Sequence, residues 1–111
     1  MRRLVLLFAL AGCDAEPIAQ PHQALNAAEL AMHPRARGLP AEAQALVVRH
    51  DRCLARRAAL ATADEVRAMA AKREAASTCA GLDSDKAALI AAYARDAGIA
   101  GRLRRLRDVE G

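Results

Sequence analysis

Alanine dominates the interior available to this chain: from Asp14 onward there are 28 Ala against 20 larger apolar side chains, counting Leu, Ile, Val, Met and Tyr. Ala is the strongest helix former and adds almost no bulk, whereas strands draw on β-branched and aromatic residues. The aromatics are Phe8 and Tyr93, with no Trp. The expected fold is all-α with a thin core, either a small helical hairpin or a three- to four-helix bundle behind a tether. The same scarcity of rings argues against a base-stacking nucleic-acid platform.

The first dozen residues have a different character. Met1-Arg2-Arg3 supplies a short positive segment, and Leu4-Val5-Leu6-Leu7-Phe8-Ala9-Leu10-Ala11 an apolar run that closes on small residues before Cys13. This is the layout of a secretory signal peptide. As a helix the run covers roughly 12 Å, against about 30 Å of bilayer hydrocarbon, so it is too short to span. The junction Leu10-Ala11-Gly12-Cys13 resembles the lipobox of bacterial lipoproteins, an aliphatic residue and two small ones before a cysteine. The resemblance implies cleavage between Gly12 and Cys13, a diacylglycerol thioether on Cys13, and an acylated new N-terminus, palmitate being a typical chain. Two or three chains at about 0.8 kcal/mol per buried CH2 anchor stably where one is marginal. Asp14 is similar to the inner-membrane retention residue of lipoproteins in enteric bacteria. That rule differs between lineages, so inner and outer membrane both fit.

Setting residues 1–12 aside changes the charge balance. The whole chain has 17 Lys+Arg against 13 Asp+Glu, and without Arg2 and Arg3 the ratio is 15 to 13. A net charge of +2 is no polyanion-binding signature.

All four prolines, Pro17, Pro21, Pro34 and Pro40, fall in residues 13–40, which read as the lipid-anchored Cys and a tether with one short helix over Gln23–Met32. His33-Pro34 stops that helix, because the residue before Pro avoids the helical region. Residues 41–111 read as the helical domain. From Ala41 to Ala61, Leu46, Val47, His50, Cys53, Leu54, Arg57 and Leu60 recur at helical spacing. Thr62-Ala63-Asp64-Glu65 has the form of a capping box. It predicts a second helix over Ala63–Ser77 with Val66, Met69, Arg73 and Ala76 inward, closed by Gly81. Leu82-Asp83-Ser84-Asp85 predicts another helix start, followed by a stripe of Leu89, Ile90, Tyr93, Ala94 and Ala97. Gly98 ends or bends that helix. Ile99–Val109 interleaves Ile99, Leu103, Leu106 and Val109 with Arg102, Arg104, Arg105 and Arg107, a short basic amphipathic segment.

Export leaves Cys53 and Cys79 as an even pair in an oxidising compartment once Cys13 is lipidated, and a disulfide is the natural reading. Closing that loop contributes about 3.5 kcal/mol of loop-closure entropy, a useful staple for a thin core. The register poses a difficulty. The midpoint between the cysteines is residue 66, while the turn signal sits near Thr62, so a straight hairpin separates the pair by roughly 12 Å of helix rise. Unwinding over Ala75–Thr78, a steep helix crossing, or a bond outside one chain each resolves it.

His50 and Cys53 at i and i+3 offer two zinc donors, short of the three or four a site needs, and a disulfide removes the thiolate. As a nucleophile pair they lack a third orienting group, and no C-x-x-C spacing occurs. No cofactor, metal or catalytic residue is expected. Arg102, Arg104, Arg105 and Arg107 have two readings: a solvated face paired with Asp96, Asp108 and Glu110, or a contact for anionic lipid or an acidic partner.

The resulting expectation is a non-enzymatic lipoprotein of the bacterial cell envelope, facing the periplasm, whose helical domain binds another envelope protein. Secretion pilotins and accessory lipoproteins of conjugation or type IV secretion share this outline. No nucleic-acid partner and no small-molecule substrate are expected. Cys79, Leu82-Asp83 and Tyr93 also resemble in type the small Cys-containing helical domain of lysozyme-inhibitor-type lipoproteins, without that group's wider cysteine pattern, which implies an envelope enzyme inhibitor as one alternative. A cytosolic Arg-rich helical protein that binds nucleic acid is the other, and it requires an unprocessed Met1 and reduced cysteines.

Overall fold

The computed structural model describes residues 22–110. Among them every regular element is helical: α1 (Ala27–Met32), a 3-10 turn (Pro34–Ala36), α2 (Ala41–Ala61), α3 (Glu65–Cys79), α4 (Leu82–Ala92) and α5 (Ala97–Arg104). The expected all-α fold is what forms. The longest element, α2, is the spine, touching α3, α4 and the 3-10 turn, while α5 packs on α4.

Helix α2 has the predicted bounds, and it buries Ala43, Gln44, Leu46, Val47, His50 and Cys53 on one side. Leu54 and Arg57, placed on that side by spacing, are exposed instead. The inward stripe runs out after Cys53, where α2 is covered by α3 and, at Arg57, only by the chain end.

The short helix begins at Ala27, later than the predicted Gln23, because Asn26 and Glu29 form a reciprocal capping box there. Residues 25–39, read above as part of a tether, pack on the body. Gln44 Oε1 accepts the Leu25 N–H at 2.8 Å, and Ala36 and Leu39 are core residues. The loop between them turns at Gly38, whose φ of +76° suits glycine and whose missing side chain leaves the Arg102 guanidinium close above it.

Helix α3 departs most from expectation. Its cap is Asp64, whose carboxylate accepts the Arg67 N–H at 2.9 Å, while the Thr62 hydroxyl turns back to the Ala59 carbonyl. The helix runs unbroken to Cys79, so no unwinding brings the cysteines together. Instead the hairpin is offset. The ion pair Arg56–Glu74 and the pair Cys53–Cys79 are centred on residues 65 and 66, so the first turn of α3 projects past the end of α2 at Ala61. Val66 and Met69, expected inward, lie on that overhang and are 90% and 64% exposed. Ala75 and Cys79 are the buried residues of this helix.

Gly81, at φ +73°, turns the chain from α3 into α4. Asp83 is not the cap of α4; its carboxylate faces the end of the chain. Leu82 is fully buried, whereas Leu89, Ile90 and Tyr93 are half-buried and Ala94 and Ala97 exposed. The Tyr93 hydroxyl bonds the Glu42 carboxylate, tying the end of α4 to the start of α2. Asp96 caps α5 through the Ile99 N–H, so Gly98 sits inside the last helix and does not end the previous one.

Beyond α5 the chain returns across α2 and α4 as a segment held by side chains. Lys86 Nζ donates to the Leu106 carbonyl at 2.8 Å, and His50 Nε2–H donates to the Arg107 carbonyl at 2.8 Å. Arg57 donates to the Val109 carbonyl. The Asp83 carboxylate accepts the Val109 and Glu110 N–H groups at 2.8 and 2.7 Å. Leu106 and Val109 complete the core between these clamps.

Candidate functional site

Gly12 and Cys13 lie outside the described residues. The other residues singled out by sequence fall in two places.

Cys53 on α2 and Cys79 at the end of α3 meet at disulfide distance, with Cα atoms 4.9 Å apart and both side chains buried. This arrangement occupies the thiol that a metal or nucleophile reading of Cys53 needs. The His50 Nε2–H is committed to the Arg107 carbonyl, and its Nδ1 is buried without a partner. Among the described residues no group of three or more His, Cys, Asp and Glu side chains converges as a metal site. The chemistry around Cys53 is therefore that of a closed core.

Arg102, Arg104, Arg105 and Arg107 lie in and just after the last turn of α5, and the carboxylates assigned to them by spacing are engaged elsewhere. Asp96 caps α5, Asp108 pairs with Lys86, and Glu110 Oε1 accepts the Asp83 N–H at 3.3 Å. None of the four arginines makes an ion pair among the described residues.

The fold adds to this group two residues that sequence spacing did not connect with it. The loop after α1 carries Arg35 and Arg37, and the Arg102 Nη2 donates to the Arg35 carbonyl at 2.8 Å. Between loop and helix lies an open notch of about 160 Å³ lined by Arg35, Leu39, Val47, Arg102, Arg105 and Leu106. Its floor is apolar and its rim holds three guanidinium groups. Arg35 also donates to Asp51 Oδ1 at 3.1 Å, and Asp51 Oδ2 bonds His33 Nδ1 at 2.7 Å. The rim of this notch keeps Arg102 and Arg105 uncompensated by any described carboxylate.

A guanidinium offers a planar fork of donors that fits two oxygens of a carboxylate or phosphate. Arg105 and the remaining donors of Arg102, with Arg35 shared with Asp51, lie above aliphatic carbon and suit an anion that carries an apolar body. The sequence signal that pointed here was the run of arginines after Gly101; the contribution of Arg35 and the floor made by Leu39 and Val47 arise only when residues 34–40 fold back onto α2 and α5.

Four other clefts among the described residues are larger but differently lined. One of about 400 Å³ lies beside Cys79, between Arg57, Leu60, Lys72, Ala75 and Glu110, and one of about 500 Å³ lies along the overhang between Ala59 and Glu74. Alanines form half of the walls of the second, and its Asp64 and Glu74 set negative charge beside Arg67. No protein-family model, curated protein sequence or solved structure matches this chain.

Proposed function

We propose that this protein is a small, lipid-anchored, non-enzymatic component of a bacterial cell envelope, held by Cys13, whose helical domain faces the periplasm and binds another envelope protein in an accessory or assembly role. The observation that carries the reading is the juxtaposition of Cys53 and Cys79 at disulfide distance. A buried pair that closes across two helices is oxidised in the compartment to which a lipobox leads, and it is kept reduced in the cytosol. Leu10-Ala11-Gly12-Cys13 and the cysteine pair are independent features that agree on location.

Binding of a protein partner is supported by what the fold leaves outward. The overhang presents Val66 and Met69 at i and i+3 on a helix that packs chiefly on α2, and an apolar patch rimmed by charge is the usual texture of an interaction surface. The test is intact and N-terminal-peptide mass spectrometry of protein taken from the envelope, with and without reductant, followed by photo-crosslinking from position 69 in living cells. An acylated Cys13 as first residue, a two-hydrogen deficit shared by Cys53 and Cys79, and a discrete protein adduct are expected. An intact Met1 with three free thiols overturns the location and the function together, and makes the cytosolic nucleic-acid reading the one to pursue.

A further inference from the structure

We infer that the notch between residues 34–39 and α5 is a seat for the phosphodiester headgroup of an anionic membrane lipid, so that the domain lies on the surface of the bilayer that anchors it. The inference rests on the lipid-anchored reading of Cys13. It names a second, reversible contact with the same membrane.

Three observations carry it. Arg35, Arg102 and Arg105 converge on one opening from two segments far apart in sequence. Non-bridging phosphate oxygens match guanidinium forks, and a phosphodiester keeps its negative charge at every pH the envelope experiences. The floor is made by Leu39, Val47 and Leu106, so the ligand that fills it has apolar carbon close to its anionic group. A lipid meets that requirement with glycerol and the first methylenes beside its phosphate, whereas inorganic phosphate leaves the floor uncovered.

The third observation is the length of chain between anchor and body. Eight residues lie between Cys13 and His22, where the described structure begins, a span of nine Cα steps. Fully extended they reach about 30 Å, which is close to the length of the 21-residue α2. A leash no longer than the body holds every face of it within reach of headgroups, at an effective concentration that a free partner does not match. Arg37 and Arg104, both exposed and next in sequence to residues around the notch, add to the positive charge of these two segments. A basic residue near an anionic surface contributes about a fivefold gain in binding, so a weak seat suffices once the chain is tethered.

The experiment uses the mature protein purified from the envelope and reconstituted by its own anchor into vesicles of phosphatidylcholine, or of phosphatidylcholine with about a third phosphatidylglycerol. Intact mass is read first. Backbone hydrogen exchange is then followed in both vesicles, for the native chain and for Arg35→Gln/Arg105→Gln, with the Cys53–Cys79 pair verified by mass in each. The expected result is at least a fivefold slowing of exchange over residues 34–39 and 102–107 in the anionic vesicles alone. That slowing is lost in the double variant, while exchange in α2 and α3 is unchanged.

Equal exchange in the two vesicles with an acylated Cys13 overturns the headgroup seat and leaves the lipoprotein reading standing. The same slowing produced by inorganic phosphate without anionic lipid overturns the membrane as occupant. An unacylated Cys13 overturns the lipoprotein reading, and the inference falls with it.

Discussion

Asp83 shows how one side chain can be diverted by the tertiary fold. Its place after Gly81 suggests a helix cap, yet both carboxylate oxygens accept backbone N–H groups of the chain end, from Val109 and Glu110. The Val109 N–H is the main reason its pKa lies below the ordinary aspartate value; partial burial opposes it, and the Glu110 N–H, Lys86 and Arg57 add to it. A carboxylate with a lowered folded pKa contributes stability that is present above its unfolded pKa, roughly 4, and is lost as pH falls through the folded value. Thermal unfolding of the native protein between pH 6 and 3 is therefore expected to show a drop beginning near pH 4, part of which is missing in Asp83→Asn. Equal acid sensitivity of the two would assign the drop to other carboxylates. Cys53 gives a second prediction at this scale. Cys53→Ser removes the cross-link and lowers unfolding stability by about 3.5 kcal/mol, read from the denaturant midpoint without reductant. Reductant brings the native protein to a similar midpoint if the bond accounts for the difference.

At the level of elements, the two ends of α3 behave differently. Its C-terminal half is fixed to α2 by Cys79 and Ala75, and its first turn overhangs. Val66→Ala is expected to change stability by less than about 0.5 kcal/mol. Leu103→Ala, in the fully buried contact of α5 with the core, costs about 2 to 5 kcal/mol. The comparison by urea titration places the core where the structure has it and not along the predicted stripe of Val66 and Met69. The cap is tested in the same way. Asp64→Ala costs about 1 kcal/mol because it strands the Arg67 N–H, while Thr62→Ala is close to neutral. The reverse order would restore Thr62 as the cap.

For the molecule as a whole, the end of the chain acts as a clasp. Residues 106–110 are bonded by side chains of α2 and α4, and Leu106 and Val109 join a small core whose larger members are Leu39, Leu46, Val47, Leu82 and Leu103. A core this small gains disproportionately from two extra aliphatic side chains. Removing residues 106–111 is expected to lower stability by at least the 2 to 5 kcal/mol of one large core truncation, measured by thermal unfolding, since it also strands Asp83, Lys86 and Arg57 without their carbonyl or N–H partners. A shortened chain with an unchanged midpoint would reduce the clasp to a surface decoration. The same segment carries Arg107 and forms one wall of the basic notch through Leu106, so fold stability and the candidate contact surface share residues.

Local regularities were legible from the amino-acid order alone. The all-α class follows from the alanine content, the bounds of α2 from Pro40 and a clean periodicity, and the likeness of residues 10–13 to a lipobox from four adjacent side chains whose chemistry needs no fold to be recognised. Cys53 and Cys79 were also legible as a pair, because two cysteines remain once Cys13 is set aside. What only the tertiary structure decided is register and convergence. The offset of α3 on α2 depends on where Asp64 starts the helix, a shift of two residues that turns Val66 and Met69 from core to solvent. The meeting of Arg35 with Arg102 and Arg105 depends on a loop 67 residues away in sequence from its partner. Periodicity reports which side of a helix is apolar, but a contact between distant segments is set by the summed packing of all elements, and no local window of sequence contains it.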